Sequence, residues 1–138
     1  MQALPSGGRT LTELDHVRLA ALLRRAAPAA PKAPALVDLL DSADLVPSRQ
    51  VDPDVVTMYS RVQIADAADG RRHELTLCYP GDAEPEAGFV SVLSPIGAAL
   101  LGSRVGETVR WLTPTGSERA AEVVAVSFQP EASGDFTR

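Results

Sequence analysis

Two pairs of closely spaced carboxylates are the residues best suited to acid–base chemistry in this sequence: Asp52 with Asp54, and Glu84 with Glu86. Such a pair can act as general acid and general base only where an apolar environment raises the pKa of one member. Both pairs lie in polar, turn-forming stretches, which we expect to be loops without an apolar wall. The sequence therefore predicts solvated surface carboxylates at both places and no catalytic dyad.

Candidate nucleophiles and metal ligands are scattered in the same way. Cys78 is the one cysteine of the chain, so an internal disulfide is excluded, and its place in an apolar alternation indicates a buried, inert thiol. His16 and His73 have no further ligands at metal-binding spacing, and Ser94 is better explained as a helix cap than as a nucleophile. The glycines at positions 97, 102 and 106 lack the spacing of a phosphate-binding loop. We therefore predict no catalytic residue, no metal and no cofactor, and we interpret the chain as a binding protein.

Charge is distributed unevenly along the 138 residues, whose net charge is −5. Residues 1–50 hold six Lys and Arg against five Asp and Glu, whereas residues 51–138 hold seven against thirteen. This acidic portion is poorly suited to a phosphate backbone, so we expect no strong direct nucleic-acid binding and favour a basic surface on a protein partner. No apolar run approaches the roughly 18 to 20 residues of a membrane span, and no signal-peptide pattern is present, so we predict a cytoplasmic protein without membrane association.

Helical periodicity dominates residues 12–46. Thr12 is a typical helix cap, and three prolines between residues 28 and 34 separate the two apolar stripes that follow it. The stripes recur at i, i+3, i+4 and i+7 and consist of Leu19, Leu22, Leu23 and Ala26, and of Leu36, Leu39, Leu40 and Ala43. We predict a flexible N-terminus (1–11), a short antiparallel helical hairpin or coiled coil (12–46) and an extended linker (47–54).

From residue 55 onward the apolar residues alternate with a period of two, as is typical of β-strands. One helix interrupts them, because Ser94 is a good cap, Pro95 fits the first helical turn and Gly102 is a left-handed stop. The five predicted strands, mostly joined by hairpins, are Val55–Ala65, Arg72–Tyr79, Phe89–Leu93, Glu107–Thr113 and Glu118–Phe128. The predicted fold class is therefore α+β, with an antiparallel sheet and one short packed helix over residues 55–138.

Three stretches of this region carry a family resemblance. Val55–Val62 (VVTMYSRV), Leu93–Glu107 (LSPIGAALLGSRVGE) and Phe128–Asp135 closely resemble the family of regulators of nucleoside diphosphate kinase, and the resemblance covers about residues 10–138. More distantly, Ser94–Gly97 and Val105–Glu107 resemble the FKBP-like C-terminal domain of the Gre transcript-cleavage factors. The resemblance implies a short N-terminal coiled coil and an FKBP-like domain that docks on bacterial RNA polymerase near its secondary channel.

The resemblance also implies where the polymerase is met. The candidates at the start of the helix are Ser94, Pro95, Ile96 and Gly97, and Asp66 and Asp69 in the first hairpin turn are candidates to meet a basic polymerase surface. The alternative for the helix is that Ile96, Leu100 and Leu101 are simply core residues. For the two aspartates, the alternative is that they are solvated turn residues.

The tip of the predicted hairpin limits what such docking can accomplish. Gre factors reach into the channel with a long coiled coil whose acidic tip helps to hold a catalytic Mg²⁺. Here the arms are shorter, and the tip contains Pro28, Pro31 and Lys32 but no acid, so it lacks the oxygen ligands that Mg²⁺ requires. We predict a regulator that binds the polymerase without stimulating transcript cleavage and affects nucleoside diphosphate kinase indirectly, through the level of that enzyme.

Two other functions are compatible with an FKBP-like domain or with the family name. A peptidyl-prolyl isomerase or peptide-binding module needs a pocket lined by several aromatic side chains, and many of those present fall on strand faces that a core would use. The aromatic residues are Tyr59, Tyr79, Phe89, Trp111, Phe128 and Phe136. Direct contact with nucleoside diphosphate kinase is the other alternative, and no residue favours it. We also expect a monomer, since nothing indicates pairing of helical hairpins between chains.

Overall fold

The computed structural model describes residues 9–26, 34–113 and 115–134, which form three α-helices and seven β-strands. The helices are α1 (Glu13–Ala26), α2 (Pro34–Ser42) and α3 (Pro95–Leu100). The strands are β1 (Thr10–Thr12), β2 (Asp44–Val46), β3 (Arg61–Asp66), β4 (Arg72–Cys78), β5 (Phe89–Ser91), β6 (Thr108–Leu112) and β7 (Glu118–Phe128). The predicted mixed α+β class is confirmed.

Strands β3 to β7 form one sheet in the order β5-β4-β3-β7-β6. A tight turn joins β3 to β4, and Gly70 adopts a φ of +73° there, which suits the Asp69-Gly70 pair that predicts the turn. Strand β7 pairs antiparallel with both β3 and β6, and two register shifts against β3 bend it. The sheet is therefore curled and presents one face to the helices.

One pair of neighbouring strands departs from the predicted antiparallel sheet. Strand β5 runs parallel to β4, with Phe89 opposite Thr76 and Ser91 opposite Cys78. The acidic loop between them makes this possible, because its two 3₁₀ turns, Pro80–Asp82 and Pro85–Ala87, carry the chain back past the end of β4. That loop is a crossover rather than a hairpin connection.

The first predicted strand, Val55–Ala65, is only half correct. Strand β3 begins at Arg61, and the residues before it form a buried irregular segment in which Val56 and Met58 are fully inaccessible. Tyr59 interrupts an extended path because its φ is +64°, a left-handed value that non-glycine residues rarely adopt. The apolar character of this stretch therefore reflects burial in the core and not a strand ladder.

The N-terminal segment packs on the sheet domain over its described part. The predicted flexible stretch 1–11 includes residues 9–11, and these are held in place: Leu11 is buried and β1 pairs in parallel with β2. The backbone N–H of Thr10 donates to the carbonyl of Gly102 at 3.2 Å, and the Arg9 guanidinium donates to two carbonyls at the end of α3. A buried strand, β1, therefore leads directly into α1 in place of the expected loose end.

Both N-terminal helices contribute to the same core as the sheet. Leu19 of α1 and Leu36 and Leu39 of α2 belong to one buried cluster with Met58 and Leu100. The two helices contact each other, and the His16 Nε2 atom lies 2.9 Å from the Leu40 carbonyl oxygen. The predicted hairpin tip, with Pro28, Pro31 and Lys32, lies outside the described residues, so the hairpin itself stays a prediction.

Candidate functional site

The start of α3, which we call the α3 mouth (residues 94–97), is built by one serine. The Ser94 hydroxyl accepts from the Gly97 N–H at 3.1 Å and donates to the Ser91 carbonyl at 2.6 Å. It therefore links the first helical turn to the end of β5. Pro95 occupies the first helical position, where a backbone N–H would have no partner within the helix and its absence costs nothing. The predicted cap and first-turn proline are both present.

Only part of the α3 mouth is available to a partner. Pro95 is exposed, and Ser94 and Ile96 are partly exposed, with Ile96 also packed against the core. Gly97 is buried, and a Cβ added there would lie 2.1 Å from the Ser91 carbonyl oxygen, so the helix depends on the missing side chain to approach β5. A partner docking here would touch Ser94, Pro95 and Ile96 and not Gly97.

The other end of α3 lies in the core, in agreement with the alternative interpretation of Leu100 and Leu101 as core residues. Leu100 and Leu101 are fully inaccessible. Gly102 then ends the helix with a φ of +82°, and a Cβ added there would meet the Thr10 carbonyl oxygen at 3.1 Å. The predicted helix stop is therefore also a place where β1 packs closely against the backbone.

Asp66 and Asp69 lie in the β3–β4 turn, and their roles differ. Asp66 is buried, its Oδ1 accepts from the Ala68 N–H at 2.7 Å, and its Oδ2 accepts from the Arg119 guanidinium. These hydrogen bonds, that from Ala68 first, hold the pKa of Asp66 below its usual value. Asp69 is exposed and accepts from the Arg71 N–H at 2.9 Å. Only Asp69 presents its carboxylate to solvent.

The two predicted groups of docking residues are not brought together. The turn with Asp66 and Asp69 precedes β4, whereas the α3 mouth follows β5, whose Ser91 lies opposite the last residue of β4. The length of a seven-residue strand, roughly 20 Å, separates the two ends. The α3 mouth and the β3–β4 turn are therefore separate surfaces.

A buried carboxylate at the base of α1 joins the N-terminal helices to the sheet domain. Asp15 is 1% exposed, its Oδ2 accepts from the Met58 N–H at 3.2 Å, and its own N–H donates to the Thr12 hydroxyl at 3.0 Å. Burial raises the pKa of Asp15 to about 7, although the Met58 hydrogen bond opposes that shift. In the sequence, Asp15, Leu19 and Leu22 recur at i, i+4 and i+7, so Asp15 shares the apolar face of α1. That periodicity is the signal that could have identified it.

Two tyrosines lie beside this junction. The strained Tyr59 donates its hydroxyl to Asp82, and its ring lies 5.8 Å from that of Tyr79, centroid to centroid. Burial and the Asp82 carboxylate raise the pKa of Tyr59 to about 12. Tyr79 also lines a shallow cavity of about 370 Å³ with Arg18 and Leu22 of α1.

The remaining aromatic residues do not extend this pair into a proline-binding pocket. Phe89 and Trp111 lie on β5 and β6, which are the two opposite edges of the sheet. Phe136 falls outside the described residues. No observation on the described aromatic side chains therefore favours the isomerase alternative over a binding protein.

Within the described ranges, no three His, Cys, Asp or Glu side chains are grouped so that they could hold a metal ion. Cys78 is buried, and burial raises the pKa of its thiol, so this cysteine is not activated as a nucleophile. None of the helices in the described part of the chain is long and apolar enough to cross a membrane.

Comparison with known proteins places the fold and both motif stretches in one family. The family described as "Transcription elongation factor, GreA/GreB, C-term" matches residues 50–128, which include the sheet and α3. The chain is 40% identical over 127 residues to the regulator of nucleoside diphosphate kinase of Escherichia coli strain K12, covering 91% of this chain and 93% of that protein. It is 34% identical over 91 residues to the transcription elongation factor GreA of Geobacillus kaustophilus, covering 66% of this chain and 57% of that protein.

Among solved structures, the chain is similar to a prokaryotic transcription elongation factor GreA/GreB from Nitrosomonas europaea. The two are 32% identical with a TM-score of 0.72, over 87% of this chain and 99% of the other. The resemblance predicted from the motifs at residues 55–62 and 93–107 is confirmed. Most of the length of the chain is similar to regulators of nucleoside diphosphate kinase, and the chain belongs to the GreA/GreB transcription-factor family.

Proposed function

We propose that this protein is a Gre-like transcription regulator that binds bacterial RNA polymerase near its secondary channel and does not stimulate transcript cleavage. The observation that carries the proposal is the α3 mouth. Ser94 holds it rigidly against β5, and Pro95 projects to solvent. This feature lies inside the region that matches the Gre C-terminal family, and a preformed apolar tip of this kind suits docking because little side-chain freedom is lost.

The attachment of α1 supports a fixed orientation of the N-terminal helices on the docking domain. Asp15 bonds the backbone at Met58, and Leu11 and Leu19 are buried in the common core. We infer that α1 and α2 form a short hairpin whose orientation relative to the FKBP-like domain is set by these contacts. A docked sheet domain would then direct the tip, with Pro28, Pro31 and Lys32, toward the channel.

The composition of that tip separates binding from cleavage. Mg²⁺ is held by oxygen ligands, and residues 28–34 contain no Asp or Glu. We therefore expect a backtracked transcription complex to show no faster transcript cleavage when the protein is added in excess. A Gre factor is the positive control, and clear stimulation by this protein would contradict the proposal.

Binding is tested with the full chain and purified core RNA polymerase. The double variant Pro95→Ala/Ile96→Ala should weaken binding by about five-fold or more, because it removes the apolar tip of the α3 mouth. Leu112→Ala, at a side chain that is 60% exposed on β6, is the matched control and should bind as the wild type does. If the double variant keeps its thermal midpoint and still binds with unchanged affinity, the docking surface lies elsewhere.

The proposal includes a monomeric cytoplasmic protein that makes no strong nucleic-acid contacts of its own. The acidic balance of residues 51–138 supports this, since it disfavours both a phosphate backbone and a second copy of the same surface. An effect on nucleoside diphosphate kinase would then arise through transcription and not through contact with that enzyme. Sedimentation of the purified chain, alone and with DNA, tests the monomeric state and the lack of strong nucleic-acid binding.

A further inference from the structure

A groove of about 590 Å³ lies past the C-terminal end of α3, at the other end of that helix from the α3 mouth. Its floor is aliphatic and includes Val105, Val124 and Val126, and Val105 is 40% exposed. Its rim includes Asp52, Asp54 and Arg104. We call this feature the acidic groove.

The rim is electrostatically unbalanced. One guanidinium nitrogen of Arg104 lies 3.0 Å from an Asp52 oxygen and 3.1 Å from an Asp54 oxygen, so two carboxylates share one cation. Outside the groove, the Glu107 Oε1 accepts from the backbone N–H of Arg104 at 2.8 Å, so a further carboxylate lies close to the rim. Asp52 and Asp54 against the single guanidinium of Arg104 leave a net charge of −1 on the rim, beside an aliphatic floor.

Both walls of the acidic groove are fixed by hydrogen bonds within the chain. The Gly106 N–H donates to the Val123 carbonyl and the Val123 N–H to the Glu107 carbonyl, each at 2.8 Å, so the loop after α3 is held on β7. The buried Gln129 side chain donates to the carbonyls of Asp52 and Val55, also at 2.8 Å. The groove is therefore preformed, and its acidic rim is held in place before any partner arrives.

We propose that the acidic groove takes a Lys- or Arg-bearing segment of RNA polymerase, as a second contact in addition to the α3 mouth. The methylene stem of such a side chain would pack on the valine floor while its cationic head meets Asp52 and Asp54. A second copy of this chain or a nucleic acid fits poorly, because each would bring more negative charge to an acidic rim. This inference rests on the proposed polymerase binding and adds a surface and a partner chemistry to it.

The test compares variants of the full chain for binding to purified core polymerase at about 50 mM and about 300 mM salt. Asp52→Asn/Asp54→Asn should weaken binding about five- to ten-fold at the lower salt, with a smaller effect at the higher salt, because exposed charge pairs are screened. Glu84→Gln/Glu86→Gln makes the same charge change on two exposed residues of the loop before β5, and should bind within two-fold of the wild type. Val105→Ser, which touches no ion pair, should weaken binding about three-fold at both salts.

The outcomes separate this inference from the function on which it rests. If Pro95→Ala/Ile96→Ala weakens binding but Asp52→Asn/Asp54→Asn and Val105→Ser do not, the acidic groove is overturned and the proposed function stands. If the wild type does not bind the polymerase, both are overturned. If Asp52→Asn/Asp54→Asn lowers the thermal midpoint of the protein, the binding of Val105→Ser alone decides whether the acidic groove takes part.

Discussion

Replacing the buried Asp15 with asparagine should change how the stability of this protein depends on pH. In the folded state the pKa of Asp15 is raised from 3.8 to about 7, chiefly by burial. A raised carboxyl pKa means that the folded state holds the proton more tightly than the unfolded chain does. Stability from this group is therefore greatest below about pH 4, decreases as pH rises toward 7, and is constant above that.

The size of the effect follows from the difference between the two pKa values. A raise from 3.8 to about 7 is about three pH units, and at about 1.4 kcal/mol per unit it amounts to about 4 kcal/mol. An asparagine keeps an acceptor for the Met58 N–H but cannot ionise. We expect the free energy of unfolding of Asp15→Asn, relative to wild type, to rise by about 4 kcal/mol between pH 4 and pH 8.

Urea denaturation of both proteins at half-unit pH steps measures this difference directly. Glu13→Gln is the matched control, because Glu13 is an exposed acid on the same helix, and its difference from wild type should stay nearly flat. A second check is Glu131→Gln, since the Glu131 carboxylate contributes to the raised pKa and its removal should shift the midpoint of the pH dependence downward. A stability difference for Asp15→Asn that does not change with pH would refute the assignment of Asp15 as a buried group that ionises near neutrality.

Two further predictions concern the residues around the sheet. Gly97→Ala should destabilise the fold by about 1 to 3 kcal/mol, because its Cβ would lie 2.1 Å from the Ser91 carbonyl oxygen, whereas Gly81→Ala, with open space around its Cβ, should be nearly neutral in the same thermal melts. Asp66→Asn should reduce the loss of stability on acidification, because the lowered pKa of Asp66 contributes stability that is present at neutral pH and lost as pH falls through the folded-state pKa. If acid titrations of Asp66→Asn and wild type run in parallel, the hydrogen bonds from Ala68 and Arg119 do not lower the pKa of Asp66 as the structure indicates.

The sequence predicts α3 accurately because the signals for that helix are local. Ser94 caps an N–H three residues away, Pro95 needs only the first-turn conformation, and Gly102 supplies a left-handed φ. Turn chemistry at Asp69-Gly70 likewise depends on adjacent residues. These features therefore agree between sequence and structure, as does the overall α+β class.

Features that depend on residues far apart in the chain could not be predicted from the sequence. The parallel pairing of β5 with β4 depends on the path of the loop between them. The apolar segment before β3 is predicted to be a strand, because apolar residues alternate both in a strand and in a buried irregular segment. Asp66 reads as a solvated turn residue until Arg119, 53 positions later, is placed beside it. The sequence predicts the cap and first turn of the candidate site, including Pro95. The burial of Gly97 could not be predicted, because it depends on where the fold places Ser91.

For this protein the sequence by itself determined the cap and stop of α3, the Asp69-Gly70 turn, the family, and the absence of acids at the predicted hairpin tip. Each of these depends on residues that lie close together in the chain. Only the tertiary structure decided that Asp15 is buried against Met58 and that two carboxylates share Arg104 at the rim of a groove. The reason is physical: caps and turns are short-range hydrogen bonds, whereas desolvation and charge balance are set by whatever the fold brings within a few ångströms. The α3 mouth could be predicted from its own residues; its rigidity against β5 and its separation from the acidic turn could not.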